Sequence, residues 1–95
     1  MTRPAKLGEA EVEYALANLK GWTRAGGAIT KTFKFEKFLA GIEFVDRVAV
    51  IAERLDHHPD IDIRYNKITA TLATHSAGGL TKLDFDLARE MDALA

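Results

Sequence analysis

The sequence predicts an α+β fold, a two-layer sandwich in which a four-stranded antiparallel sheet carries helices on one face. Segments with apolar residues at helical spacing alternate with pairs of short segments in which apolar and polar residues alternate one by one. A tight turn joins the members of each pair. The order is therefore α-β-β-α-β-β-α. The 95 residues make one domain, 1–95, with room for a single modest core.

Residues 8–20 form the first helix. Leu7, Val12, Ala15, Leu16 and Leu19 recur at helical spacing, and Glu9, Glu11 and Glu13 crowd the early turns, where the helix dipole favours anions. Gly21 is the expected stop. A short strand begins at Trp22 and Thr23, and Gly26-Gly27 makes a hairpin turn. Residues 28–35 return as the second strand, with Ile29, Phe33 and Phe35 on one face and Thr30, Thr32 and Lys34 on the other.

Residues 38–56 form the long helix. One apolar stripe holds Phe38, Ile42, Val45, Ala49 and Ala52, and a second beside it holds Phe44, Val48, Ile51 and Leu55. A face that wide places this helix at the centre of the core. Pro59 cannot continue it and disfavours helical geometry at His58. Ile61, Ile63 and Tyr65 alternate with Asp62 and Arg64 in a strand over 61–65 with one buried face. Asn66-Lys67 is the expected turn, with Asn tolerating positive φ. The partner strand over 68–74 sets Ile68, Ala70, Leu72 and Thr74 against Thr69, Thr71 and Ala73, with His75 at its end. Ala77-Gly78-Gly79 is a loop. Thr81 caps the last helix, Asp84 completes a variant of the capping box, and Leu83, Leu87, Met91 and Leu94 supply its apolar face. The other face of the sheet bears threonine and charge.

Composition narrows the function. The net charge is −1 with acids and bases interspersed, which does not make a nucleic-acid surface. There is no cysteine, so disulfides, thiol nucleophiles and thiolate zinc sites are excluded. The polar start Met1-Thr2-Arg3-Pro4-Ala5-Lys6 leads into no apolar run, so no signal peptide is expected, and no stretch reaches the ~20 apolar residues of a membrane span. The expected setting is the cytoplasm, with neither nucleic acid nor membrane as partner.

The candidate chemistry lies in three histidines, the pair His57-His58 ahead of Pro59 and His75 further on. Histidine, with an unperturbed pKa of about 6.5, donates or accepts protons near neutral pH. Neighbours on an unbroken helix point about 100° apart, so the break at Pro59 is what lets the pair converge. The strand over 61–65 leaves the helix end and its partner comes back, which returns His75 to the same end of the sheet. Three imidazoles in one site are the expectation. A helix C-cap accounts for the pair as well. Zinc on three imidazoles, supported by Asp56, Asp60 and Asp62, is the competing chemistry. Trp22 reads as core or as a pocket wall. The two glycine pairs lack phosphate-loop context and read as turns.

The run Glu53-x3-His57-His58-Pro59-x5-Tyr65-x9-His75-x8-Asp84 resembles the signature of the pterin-4a-carbinolamine dehydratases. Gly21-Trp22, Phe33-x-Phe35, Tyr65-Asn66-Lys67, Thr74-His75 and Gly79-Leu80 extend the likeness over most of the chain. The resemblance implies dehydration of 4a-hydroxytetrahydropterin to quinonoid dihydropterin in tetrahydrobiopterin recycling. It implies a pterin as substrate, no metal or organic cofactor, and a homodimer or homotetramer. The catalytic residues it implies are His57, His58, His75 and Asp84. His58 and His75 would stand against the C4a–N5 edge and His57 on the leaving hydroxyl, with the division of roles left open. Asp84 would orient an imidazole. Glu53 and Asp56 would bond the ring or hold His57, Trp22 and Pro59 would line the flat heterocycle, and Thr74 and Ser76 would offer hydrogen bonds. Animal members also partner a homeodomain transcription factor, so a protein-binding module is the alternative.

Overall fold

Four strands pair into one antiparallel sheet, whose two inner strands bury one apolar face while its outer strands are largely exposed. The computed structural model describes residues 4–95, and residues 1–3 of the polar start lie outside them. The elements are α1 (Glu9–Ala17), β1 (Thr23–Ala25), β2 (Ala28–Lys34), α2 (Phe38–Leu55), β3 (Asp60–Arg64), β4 (Lys67–Leu72), a 3₁₀ turn (His75–Ala77) and α3 (Lys82–Leu94). The strand order is β1-β2-β4-β3. This is the expected α+β architecture in the expected order.

The register sets Ile29 against Leu72 and Phe33 against Ile68 on one face. These residues are buried with Val12, Phe44, Val48, Phe85, Leu87 and Met91 in one core. Helix α2 comes so close to β4 that a Cβ on Gly41 would lie 3.3 Å from Ile68 Cδ1. The outer face carries a ladder of hydroxyls: Thr32 and Thr69 Oγ1 lie 2.8 Å apart, and Thr30 and Thr71 Oγ1 3.3 Å. No helix among the described residues is long and apolar enough to cross a membrane.

Several boundaries differ from the expectation. Helix α1 ends at Ala17, where Asn18 caps it and donates its side-chain amide to Tyr14 O, so Gly21 with φ 81° serves the next bend instead. In α2 the second stripe supplies Phe44 and Val48 to the core, while Phe38 and Ala49 of the first are exposed. Strand β3 does not bury a full face. It is one of the two edge strands, so Ile61 is partly buried while Ile63 stays 43% exposed, as does Tyr65 at 69% in the turn beyond it. The second hairpin turns one residue earlier than expected, since Arg64 pairs with Lys67 and leaves Tyr65-Asn66 as the connection. Tyr65, not Asn66, takes positive φ, at 53°. Asn66 is committed to β2: its side-chain amide donates to Phe35 O and its carbonyl accepts from Phe35 N–H. The Tyr65 ring stacks on Phe38 at 6.4 Å.

Candidate active site

The end of α2 determines where the histidine pair points. Asp56 turns into the left-handed region at φ 50° and ψ 46°. The His57 N–H then reaches back to Ala52 O at 3.0 Å, a closure of the Schellman kind that satisfies an orphan carbonyl. This reversal sends His57 inward and leaves His58 outside.

His57 is buried, and its Nε2 lies 2.5 Å from Asp84 Oδ1. Asp84 is fully buried on the first turn of α3. Its Oδ2 accepts from Thr74 Oγ1 at 2.8 Å and from the Thr81 N–H at 2.9 Å. The Thr74 and Thr81 hydroxyls are 2.8 Å apart. A carboxylate only accepts, so this set of donors compensates the buried charge and fixes the proton of His57 on Nε2. One network thus ties the end of α2 to the end of β4 and the start of α3.

His58 is held differently. Its Nε2 pairs with Glu53 Oε1 at 2.7 Å on the exposed side of the helix end. His75 opens the 3₁₀ turn that follows β4, and Gly78 N–H closes that turn on His75 O at 3.0 Å. The bridge between Thr74 and Gly79 anchors both ends of the loop. A cleft of about 300 Å³ is lined by Asp56, His57, His58, Ala73, His75 and Ser76. That volume lies at the lower end of small-molecule sites.

The returning hairpin therefore brings His75 to the histidine pair as the strand geometry predicts. Asp56 and Ser76 join the three imidazoles in the lining. Glu53 stands behind His58 rather than His57, and Thr74 and Asp84 stand behind His57 in the protein interior. Pro59 is half-buried and is not part of the lining. Trp22 sits in the core, where its indole N–H donates to Asp92 at 3.1 Å and its ring meets Phe33 edge-on, so it does not wall the cleft. Two residues escape a reading by chemistry. Ala73 has no functional group to announce it. Thr81 is visible in the sequence only as a cap, yet its hydroxyl also reaches Thr74. Among the described residues no three His, Asp or Glu side chains are grouped to hold a metal ion.

An open cleft walled by three imidazoles, one backed by a buried carboxylate, is suited to acid–base chemistry on a small molecule. The comparisons with known proteins give the family. The Pterin 4 alpha carbinolamine dehydratase family matches residues 5–94, and the chain belongs to that family. A Nocardia farcinica protein provisionally named pterin-4-alpha-carbinolamine dehydratase is 55% identical over 89 residues, 94% of each chain. A Roseiflexus sp. (strain RS-1) protein with the same provisional name is 53% identical over 94% of this chain and 96% of its own. The crystal structure of a transcriptional coactivator/pterin dehydratase from Brucella melitensis superposes with a TM-score of 0.92 at 44% identity, over 95% of this chain and 98% of that one. A pterin dehydratase-like protein identified as a RuBisCO assembly factor matches at a TM-score of 0.64 and 24% identity, which shows the shared fold alone.

Proposed function

We propose that the protein removes water from 4a-hydroxytetrahydropterin to give quinonoid dihydropterin, by histidine acid–base catalysis and in the service of tetrahydrobiopterin recycling. The observation that carries this reading is the convergence of His57, His58 and His75 on one cleft. Family membership supplies the substrate class.

Hydroxide is a poor leaving group, so the C4a oxygen must be protonated as its bond to carbon breaks. The N5 proton must leave as the N5–C4a double bond forms. Carbon loses a hydroxyl, nitrogen loses a proton, and the two depart as water. The electron pair on N5 already pushes toward C4a, so the intrinsic barrier is low. Positioned imidazoles supplying about 10²–10⁴-fold suffice. His58 and His75 are the exposed pair and stand at the C4a–N5 edge as acid and base. His57, locked by Asp84, faces the leaving hydroxyl. Asp56 and Ser76 border the ring, Glu53 steadies His58, and Thr74 steadies Asp84.

The open edge of β3, with Ile63 and Tyr65 exposed, supports self-association into a dimer or tetramer, because an unpaired strand edge is readily paired across a twofold axis.

The test is direct. Purified protein accelerates the loss of 4a-hydroxypterin absorbance, and His58→Ala and His75→Ala each remove most of the acceleration. A wild-type rate no faster than buffer ends the reading.

A further inference from the structure

The donors on Asp84 come from three separate places: His57 just beyond α2, Thr74 past the end of β4, and Thr81 ahead of α3. A hydroxyl has a single proton to give. Thr74 gives its proton to Asp84 Oδ2, because a carboxylate can only accept. The contact of 2.8 Å between the two threonine oxygens therefore has one polarity: Thr81 donates and Thr74 accepts. Thr81 Oγ1 in turn accepts from Leu83 N–H at 3.2 Å. Leu83, Thr81, Thr74 and Asp84 thus form one chain in which every donor points towards the carboxylate.

Bulk water does not compete for these groups. Thr81 and Asp84 are fully buried and Thr74 is 1% exposed. In such surroundings each hydrogen bond polarises the next and strengthens it by about 10–30%. The positive end of the α3 dipole lies at the same carboxylate, since Asp84 stands on the first turn of that helix. The other oxygen, Oδ1, takes the His57 ring. How strongly Oδ1 pulls on the imidazole depends on how much of the negative charge the donors on Oδ2 draw off.

We infer that Thr81 is a positioning residue for the reaction, acting on His57 through Thr74 and Asp84 although it does not line the cleft. No proton travels along the chain. Its donors hold the carboxylate in one orientation and set the strength of its bond to His57. The effect on turnover rests on the dehydratase reading, whereas the coupling to His57 is a property of the folded protein alone. A capping role by itself would end at Leu83. The two roles separate at Thr74. The Thr81 hydroxyl reaches Asp84 only by way of Thr74, while a cap acts on its helix whatever stands at position 74.

The His57 Nε2–H proton, followed by NMR in protein labelled with ¹⁵N-histidine, reads the coupling without turnover. Thr74→Val removes a donor from Oδ2, so Oδ1 pulls harder and the resonance moves downfield. Thr81→Val moves it in the same direction by a smaller amount. In the Thr74→Val background the second substitution adds nothing. Thr81→Ser keeps the hydroxyl and returns the resonance to its wild-type position. In the dehydratase assay Thr81→Val lowers kcat by about fivefold, the size of one ordinary hydrogen bond, with KM unchanged and with recovery in Thr81→Ser. Thr81→Gly serves if the valine variant fails to fold, since glycine is tolerated at an N-cap. An unmoved resonance in Thr81→Val, an equal movement with and without the Thr74 hydroxyl, or a wild-type kcat overturns the inference and leaves the dehydratase reading standing. Absence of activity in the wild type overturns that reading, and the resonance then decides the coupling on its own.

Discussion

Asp84 is sealed from solvent and uses both of its oxygens, one on His57 and the other on Thr74 and Thr81. In the proposed reaction it would act through His57, as a positioning residue. Asp84→Asn keeps the shape but places an amide where only acceptors fit, so a donor is left facing Thr81 N–H or the His57 ring. The expected cost is about 1–3 kcal/mol of stability, read from urea unfolding. The expected loss in kcat is at least about tenfold with little change in KM, because the imidazole loses its fixed tautomer and not its substrate contacts. A variant with wild-type kcat would make Asp84 a structural residue only. The histidines and Asp84 were legible in the sequence as residue types at telling intervals. Their pairing was not. Glu53 lies one helical turn before His57 and was its natural partner on a continuous helix. The left-handed turn at Asp56 gives Glu53 to His58 and turns His57 to the interior, and no periodicity encodes the direction in which a helix end unwinds.

Helix α3 shows how far local pattern reaches. Thr81 and Asp84 form the capping box that the sequence announces, with Leu83 N–H on Thr81 Oγ1 at 3.2 Å. Leu87 and Met91 fall on the buried face as the spacing requires. Asp86 faces outward between Lys82 at 2.7 Å and Arg89 at 2.6 Å. Its partial burial works against the charged form, but the hydrogen bonds from Lys82 and Arg89 and their positive charge outweigh it and hold the carboxyl below the usual carboxylate range. The folded state therefore binds the Asp86 proton less readily than the unfolded chain. The resulting stabilisation is present above the unfolded value of about 3.9 and disappears as the pH falls through the lower folded value. Asp86→Asn is expected to be less stable than wild type at pH 7, with the two urea midpoints converging as the pH falls through the lowered folded-state value. A gap that stays constant with pH would remove the charge from the account. The ends of elements were less legible than their middles. Helix α1 stops early because an asparagine side chain captures its last turn, and the second hairpin shifts by one residue because Asn66 is held by β2.

Across the whole molecule, the alternating and helical patterns specified the layers, the order of elements and the depth of the core. They did not specify which strands would stand at the edges, and so could not show that Ile63 and Tyr65 would lie open rather than buried. Hairpins declare their own pairing, whereas the join of β2 to β4 spans a helix and is fixed only by packing. The exposed β3 edge leads to an expectation about assembly: wild type elutes above the size of a 10.5 kDa monomer in sizing chromatography, and Ile63→Lys shifts it toward the monomer. Elution of wild type as a monomer would assign the edge no such role. The network around Asp84 has a consequence for synthesis as well. It draws on a helix end from mid-chain, a strand end beyond it and the start of the final helix. All three histidines are synthesised before α3, so the network that holds His57 closes only once Thr81 and Asp84 have left the ribosome and α3 has docked.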